Sequence, residues 1–557
     1  MPVVTIHQRR FREILGREIS IDEMVEYLPW LGLDIEEIGE DFVKIEYNPN
    51  RPDFGTPVGI ARYYKGIRGE ETGLIKYGVK KGRYRVYVDP SVAEVRPYIV
   101  AAVVKNLDLD EEKLDEIIEF QEDLHNGIGR KRRKVAIGLH NLDAVKFPVT
   151  YKTVNSRFSF IPLEFEEEVT IKEILEYHPK GREYGHILSG KDKYPIIIDK
   201  EGTVLSFPPI INGIYTALNP RVRDIFIDIT GTDLETISKT LDILVTTLAD
   251  YGGELYSVEM IYGEKTFETP RLEYREISIG HKEIIDLLGL KLPPEEVIKA
   301  LEASRFTAFY DREKKSITAV VPPYRVDILH SVDLIEEVAI GYGFWRIQPK
   351  MPSLYTVGTA SLKEKIRDKI IDLMVGFGFQ EAINPVLTNP EEQYVKMGIE
   401  PDNYVEVKAP KSMLYRILRT WIIPSLLTNL YRSKSAEYPQ YLFEIGPVVK
   451  VEGNKIIEKE KMGAVIIGSE TGYSEIKSIF DSMMKILEIN NYKISETNHS
   501  SFIPGRVGKI YIGKFEFGLI GEIHPKVLNN FQLTLPVTAF EIDFDYIFEV
   551  VRKRGKF

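Results

Sequence analysis

Apolar residues recur at helical spacing along REILGREISIDEMVEYLPWLGLDIEEI, and the run that follows, DFVKIEYN, alternates apolar and polar positions as a strand does. Asn48-Pro49-Asn50-Arg51-Pro52-Asp53 then punctuates the chain, because proline fixes φ and Asn and Asp side chains bond nearby backbone, before VGIARYYKGIRG resumes helical spacing. This predicts an α+β module over 1–90. From YVDPSVAEVRPYIVAAVVKNL to Tyr262, β-branched strands alternate with helical stretches, which predicts a β-rich α/β unit over 91–265. From Glu276 the chain reads as two short helical patterns, ISIGHKEIIDLLGL and LPPEEVIKALEASRF, and a hairpin in which TAFYD and SITAVV are joined by REKK. Two helices and a hairpin predict a winged-helix-like domain over 266–350. Past Pro352, ASLKEKIRDKIIDLMVGFGF places Leu362, Ile366, Ile370, Leu373 and Met374 on an amphipathic helix, followed by strands to the end of a mixed α/β module over 351–557.

The length of 557 residues agrees with that division, since one core rarely serves more than about 250–300 residues. With 43% hydrophobic and 28% charged residues, a mostly disordered chain is excluded. No apolar stretch approaches the ~18–20 residues needed to cross a bilayer, and MPVVTIHQRRFREIL is charged where a signal peptide is apolar. A soluble, cytoplasmic chain with no membrane partner is expected. Cysteine is absent, which excludes disulfides, thiolate catalysis, Fe–S clusters and cysteine-bound zinc, so any metal must sit on oxygen or imidazole. The 73 basic and 84 acidic residues leave −11, so contact with phosphates has to come from local patches.

VPPYRVDILHSVDLIEEVAIGYGF carries Asp327, Asp333, Glu336 and Glu337, the last three at i, i+3 and i+4 of a helix starting near Val332 and therefore on one face. All-oxygen ligation of this kind suits Mg²⁺. The same spacing also describes an acidic first turn favoured by the helix dipole, followed by a solvated face.

In that order, and joined to the succession of four modules, NPNRPDFGTPVGIAR and VPPYRVDILHSVDLIEEVAIGYGF resemble the beta subunit of phenylalanyl-tRNA synthetase in its archaeal and eukaryotic form, over essentially the whole chain. The resemblance implies a heterotetramer of two alpha and two beta chains that acts on tRNA(Phe), with ATP, phenylalanine and the transfer chemistry on alpha. It implies Mg²⁺ at Asp327, Asp333, Glu336 and Glu337, and an editing domain over 91–265. It also implies the absence of the oligonucleotide-binding and terminal RNA-binding domains that the bacterial form adds. Class II synthetase cores hold ATP with arginines, which neutralise the triphosphate. The matching segments here, QYLFEIGPVV and PVTAFEIDFDYIF, have none and carry Glu444 and Glu541 instead. The last module is thus expected to be a class II-like antiparallel-sheet module, catalytically inactive and serving as a subunit interface. Leu362, Ile366 and Ile370 would pack against the partner or its own core, and Arg416 and Arg419 would be structural.

A pocket for phenylalanine rejects tyrosine poorly, because an apolar site excludes one extra hydroxyl by only about 100-fold. A second site that hydrolyses tyrosyl-tRNA is the remedy. Its candidates lie in LSFPPIINGIYTALNP and DIFIDITGTDLET: Ser206, Asn212, Asp228, Thr230, Thr232 and Asp233. Alternation puts Asp228 and Thr230 on one face of a strand, where a carboxylate can meet the phenol and a hydroxyl can hold the attacking water. Backbone N–H groups near Asn212-Gly213 would serve as oxyanion donors. Thr232 and Asp233 fit helix capping equally well, and His125 and His140 read as surface or packed residues. Arg130-Lys131-Arg132-Arg133-Lys134 is the densest basic run and reads either as a tRNA contact or as a solvated loop. Two rival readings are a non-enzymatic winged-helix nucleic-acid-binding protein, against which the mixed charge of 279–306 argues, and a free-standing tRNA-ester deacylase.

Overall fold

Val4 and Ile6 alternate with exposed neighbours on the strand Val3–His7, as Val43 and Ile45 do on Phe42–Glu46, and the two strands pair antiparallel so that all four side chains face one core. The computed structural model describes residues 2–352 and 356–553. They form two compact units, one running to Met351 and the other starting at Pro352.

In the first unit, Asp34–Ile38 completes a three-stranded sheet covered by Gln8–Leu15, Ile21–Tyr27 and Pro57–Ile67. A ten-stranded sheet follows. Its order is Ile211–Asn212, Val204–Phe207, Tyr194–Ile198, Val149–Val154, Val79–Val88, Glu254–Tyr262, Tyr98–Lys105, Ile225–Gly231 and Val135–Asn141, with Lys265–Thr269 pairing Glu254–Tyr262 off this path. Glu111–Asn126 and Leu234–Asp250 cover the face that carries Ile225, Ile227 and Ile229. Phe226, Asp228 and Thr230 point to the opposite face. The boundary expected at 90 moves toward 78, because Val79–Val88 belongs to this sheet. Only Val86 and Val88 of that strand are buried, so most of it carried no apolar alternation to read.

Residues 275–342 contain the expected two helices, His281–Leu288 and Pro294–Ala303, and the hairpin Thr307–Asp311 with Ser316–Val321. A third strand, Arg275–Gly280, replaces the start of the first helical pattern and pairs with Ser316–Val321. Ile277 and Ile279 have the period of a strand there. The helix Ser331–Tyr342 closes the domain.

The second unit is a seven-stranded sheet in the order Gln380–Glu381, Gln440–Glu452, Lys455–Ile467, Val537–Asp543, Phe515–Ile523, Phe502–Ile512, Tyr492–Glu496. All its pairings are antiparallel except Gln380–Glu381 with Gln440–Glu452. Leu362–Gly376, Tyr473–Ile486 and Phe544–Arg552 pack against one apolar cluster of the unit, and Ile423–Arg432 and Pro525–Asn530 against another. Ile366 and Ile370 lie in the first cluster, fully buried within this unit, which settles them as core.

Candidate functional site

At the centre of the strand Ile225–Gly231, Asp228 turns into a cavity of about 350 Å³. The walls are mostly apolar, with Ile118, Ala136, Leu139, Pro208, Ile210 and Leu218 among them, and Ser206, Asn212 and Gln121 add polar groups. Asp228 is 1% exposed. Its Oδ2 lies 2.7 Å from His140 Nε2, on the neighbouring strand, and His140 Nδ1 lies 2.8 Å from the Thr216 hydroxyl. A carboxylate only accepts, so Nε2 carries the proton of that contact, and in a neutral ring Nδ1 then accepts from Thr216. Among the described residues, Asp228 Oδ1, itself buried, has no partner. Buried acceptors are nearly always satisfied, so an open one in a cavity wall points to a donor that arrives with a ligand. The pair needs Gly138 on the adjoining strand, because a Cβ there would overlap both Asp228 and His140.

Glu122, His125 and Arg132 form a charged end of the same cavity. Arg132 Nη2 donates to Glu122 at 2.6 Å and Nη1 to the Ile210 carbonyl at 3.0 Å, and its guanidinium lies 4.4 Å from the centre of the Tyr184 ring. His125 Nε2 accepts from the Ile137 N–H at 2.7 Å, which leaves Nδ1 to donate to Glu122 at 3.2 Å. Burial drives the His125 pKa from 6.5 down to about 4, so the ring is neutral near pH 7. Burial opposes ionisation of Glu122, but His125 and Arg132 outweigh it and bring this carboxyl down to about 2, too low for a general base near neutrality.

Ser206 and Asn212 face each other across paired strands and line the cavity. Thr230 shares the face of Asp228 but not the cavity, since its hydroxyl accepts from Arg96 Nε at 2.9 Å and its carbonyl from Arg96 Nη2 at 2.7 Å. Gly213 is no oxyanion donor, because its N–H is bonded to the Leu205 carbonyl at 2.8 Å. Asp233 caps Leu234–Asp250 by accepting from the Thr236 N–H, and Thr232 lies exposed beside it, which is the capping alternative. His140, read as merely packed, is the residue that holds Asp228. Thr216 is fully buried and off the cavity wall, so the Thr216–His140–Asp228 chain offers no nucleophile. The basic run is not one patch. Arg132 is buried as described, whereas Arg130, Lys131 and Arg133 are exposed on a turn in which 130–132 all have positive φ.

The acidic cluster lies elsewhere in this unit and is knitted to the Asn48–Asp53 turn. Each block holds an Arg-x-Asp. Arg51 grips Asp53 at 3.0 and 2.9 Å, and Arg325 grips Asp327 at 2.9 and 2.7 Å. Glu337 accepts from both Arg325 and the Tyr63 hydroxyl and lies 4.0 Å from Arg51. Arg62, 3.6 Å from Asp53, extends the network to Asp250 at 2.7 Å. Burial pushes the Asp327 carboxyl up, and Arg325 with Arg51 pulls it below the ordinary range. Asp333 accepts from the N–H groups of Leu329 and His330, at 2.8 and 2.7 Å, and Glu336 is exposed. Carboxylate oxygens suit magnesium in kind, but no cage is assembled in this chain alone. Arg325 neutralises two of the four groups, and among the described residues no three His, Cys, Asp or Glu side chains are grouped to hold a metal.

Two family models match the chain, the phenylalanyl tRNA synthetase beta chain CLM domain at 347–544 and the tRNA synthetase B5 domain at 277–344. The phenylalanine–tRNA ligase beta subunit of Archaeoglobus fulgidus is 42% identical over 552 residues, 99% of each chain, and that of Methanocaldococcus jannaschii is 40% identical over 98% of this chain and all of the other. The chain belongs to the phenylalanine–tRNA ligase beta subunit family. An N-terminal fragment of the Pyrococcus horikoshii beta subunit, solved by crystallography, is similar in structure, with TM-score 0.59 and 38% identity over 61% of this chain and 99% of the fragment. As a beta subunit, the chain is part of an aminoacyl-tRNA synthetase and implies an alpha partner and tRNA. Among the described residues, no helix is long and apolar enough to cross a membrane.

In the second unit of this beta subunit, the two glutamates have structural work. Glu444 holds the buried Arg419 at 2.6 Å, and Glu541 caps Ile423–Arg432 by accepting from the Ile422 and Ile423 N–H groups while pairing with Lys461 at 2.6 Å. Arg416 is half-buried after the short turn Met413–Tyr415. A cavity of about 740 Å³ over this sheet is lined by Lys450, Lys459, Lys461 and Lys509, by acids that include Glu516, Glu541 and Asp543, and, among the described residues, by no arginine.

Proposed function

We propose that this beta subunit, assembled with alpha as two copies of each, positions tRNA(Phe) and proofreads it, removing tyrosine from mischarged tyrosyl-tRNA in the cavity at Asp228. The open Oδ1 of Asp228 carries this reading. The phenol O–H of tyrosine is the donor that atom lacks, and phenylalanine has none. The apolar walls accept either ring. His140 fixes the carboxylate, so its lone acceptor is pre-aimed. Ser206 and Asn212, on the cavity wall, hold the water that attacks the ester, since no cysteine exists and the buried Thr216–His140 pair is closed off. Side-by-side deacylation on the assembled enzyme is the test: tyrosyl-tRNA should be hydrolysed faster than phenylalanyl-tRNA, and equal rates would contradict the reading.

ATP and phenylalanine belong to the alpha chain in this proposal, because among the described residues the cavity over the second unit's sheet is lined by lysines and acids and by no arginine. The exposed Met413, Leu414 and Tyr415 give that unit an apolar docking edge. Of the four carboxylates expected to hold magnesium, Asp327 and Glu337 are taken by Arg325, so the ion would be held by Asp333 and Glu336 with its shell completed from outside this chain, where it would supply charge compensation. Equilibrium dialysis should find Mg²⁺ retained by the assembled enzyme and lost with Asp333→Asn/Glu336→Gln; equal retention by the lone chain would refute a shared site.

A further inference from the structure

Beside the cavity, the ten-stranded sheet carries an open groove of about 720 Å³ lined by Lys152, Arg157, Lys193, Asn155, Phe158 and Asp89, among others. Lys152 lies on Val149–Val154, and the register of that strand with Tyr194–Ile198 brings Lys193, one residue ahead of the pairing, to the same edge. Among the described residues, the side chains of Lys152, Arg157 and Lys193 have no ion pair or hydrogen-bond partner. The acid in the lining, Asp89, accepts from the Ser91 N–H at 2.8 Å and also feels the charges of Lys152 and Lys193, so it offsets one of the three cations and leaves a net positive groove. In a chain of net charge −11, three unpaired cations around one groove are a local reversal of sign. Asn155 shapes the rim by accepting from the Arg157 N–H at 2.9 Å, and Phe158 sets a ring beside the cations.

A short stretch of chain joins the lining of the groove to that of the cavity. Asn155, Arg157 and Phe158 line the first, and Leu163 and Glu164 line the second. Leu163 is tied to the cavity strand, its N–H donating to the Asn212 carbonyl at 2.8 Å. Four residues lie between Phe158 and Leu163, so these two lining residues are within about 18 Å of each other. At ~3.4 Å per stacked nucleotide, that distance spans about five nucleotides of one strand.

We infer that this groove holds the phosphates of a single RNA strand, the 3′ end of the tRNA whose ester enters the Asp228 cavity, with Phe158 as a stacking surface for a base. A cationic track with an interleaved aromatic ring is how single strands are held without sequence reading. The inference rests on the proofreading proposal for the identity of the strand, and its test is independent of hydrolysis.

Binding of tRNA(Phe) to the assembled enzyme, measured over about 50 to 400 mM salt, should give a log–log slope that becomes shallower by about 2 in K152Q/R157Q/K193Q, at ~0.7 per phosphate contact of a single strand. Removing the unpaired 3′ nucleotides from the tRNA should shallow the wild-type slope by the same amount and leave the variant's slope unchanged. An unaltered slope in the variant overturns the inference. Additive losses also overturn it, since the cations would then contact another part of the tRNA, as does a variant defective only toward an acidic peptide such as polyglutamate. If the slope falls as stated while Asp228→Ala still hydrolyses tyrosyl-tRNA, the proofreading assignment fails and the RNA groove stands.

Discussion

Asp228→Ala, in the assembled enzyme, is expected to lower kcat/KM for tyrosyl-tRNA hydrolysis by about 100-fold while leaving phenylalanylation intact. A hydrogen bond to a charged acceptor contributes ~1.5–3 kcal/mol, which corresponds to roughly 10- to 200-fold. The upper half of that range applies because Oδ1 is buried and His140 fixes the carboxylate, so little reorganisation opposes the bond. Hydrolysis of phenylalanyl-tRNA, which never used the acceptor, should change by less than about 3-fold. Alanine also leaves His140 without its acceptor, so Asp228→Asn provides a control that keeps the volume. Its amide oxygen still accepts a phenol proton, and part of the rate should return. Unchanged tyrosyl-tRNA hydrolysis in both variants would remove Asp228 from the site. Thr230→Ala is expected to act on stability through Arg96 rather than on the choice between the two amino acids.

Arg325→Met should cost about 3–5 kcal/mol of folding stability, read as a fall in the denaturant midpoint of the first unit's transition. Arg325 is 1% exposed and is the cation shared by Asp327 and Glu337. Methionine fills much of the space but leaves two buried carboxylates facing each other, with only Arg51 and the Tyr63 hydroxyl nearby. Removing one member of a buried ionic group is far more damaging than replacing the group. Arg325→Met/Glu337→Leu should therefore recover part of the loss. Chelation by EDTA should not reproduce the effect in the lone chain, where the guanidinium supplies the positive charge. A cost below about 1 kcal/mol would show that the network contributes little to folding.

The strands were legible where apolar residues are dense, as in Ile225–Gly231, which is buried on both faces, and illegible where they are sparse, as in Val79–Val88. The face of Asp228 could be read from a period of two. Which neighbour meets each side chain on that face could not. His140 stands 88 residues away and Arg96 134 residues from Thr230, and only the sheet order brings them together. Arg325 was within reach of the sequence, because a two-residue offset places an arginine beside Asp327, and the Arg-x-Asp of the Asn48–Asp53 turn repeats it. Reading the carboxylates by themselves missed the cation between them. The basic run left two readings open for the opposite reason, since five consecutive charges say nothing about which one turns inward to Glu122.

The selectivity assigned to Asp228 depends on a single proton, the one on the phenol oxygen. Single-turnover hydrolysis of tRNA charged with 4-fluorophenylalanine, compared with the tyrosyl and phenylalanyl esters on the same assembled enzyme, isolates it, because fluorine is close to hydroxyl in size and donates nothing. The fluoro ester should be cleared at the phenylalanyl rate; clearance at the tyrosyl rate would mean that the cavity measures size, and that the open oxygen of Asp228 reads nothing.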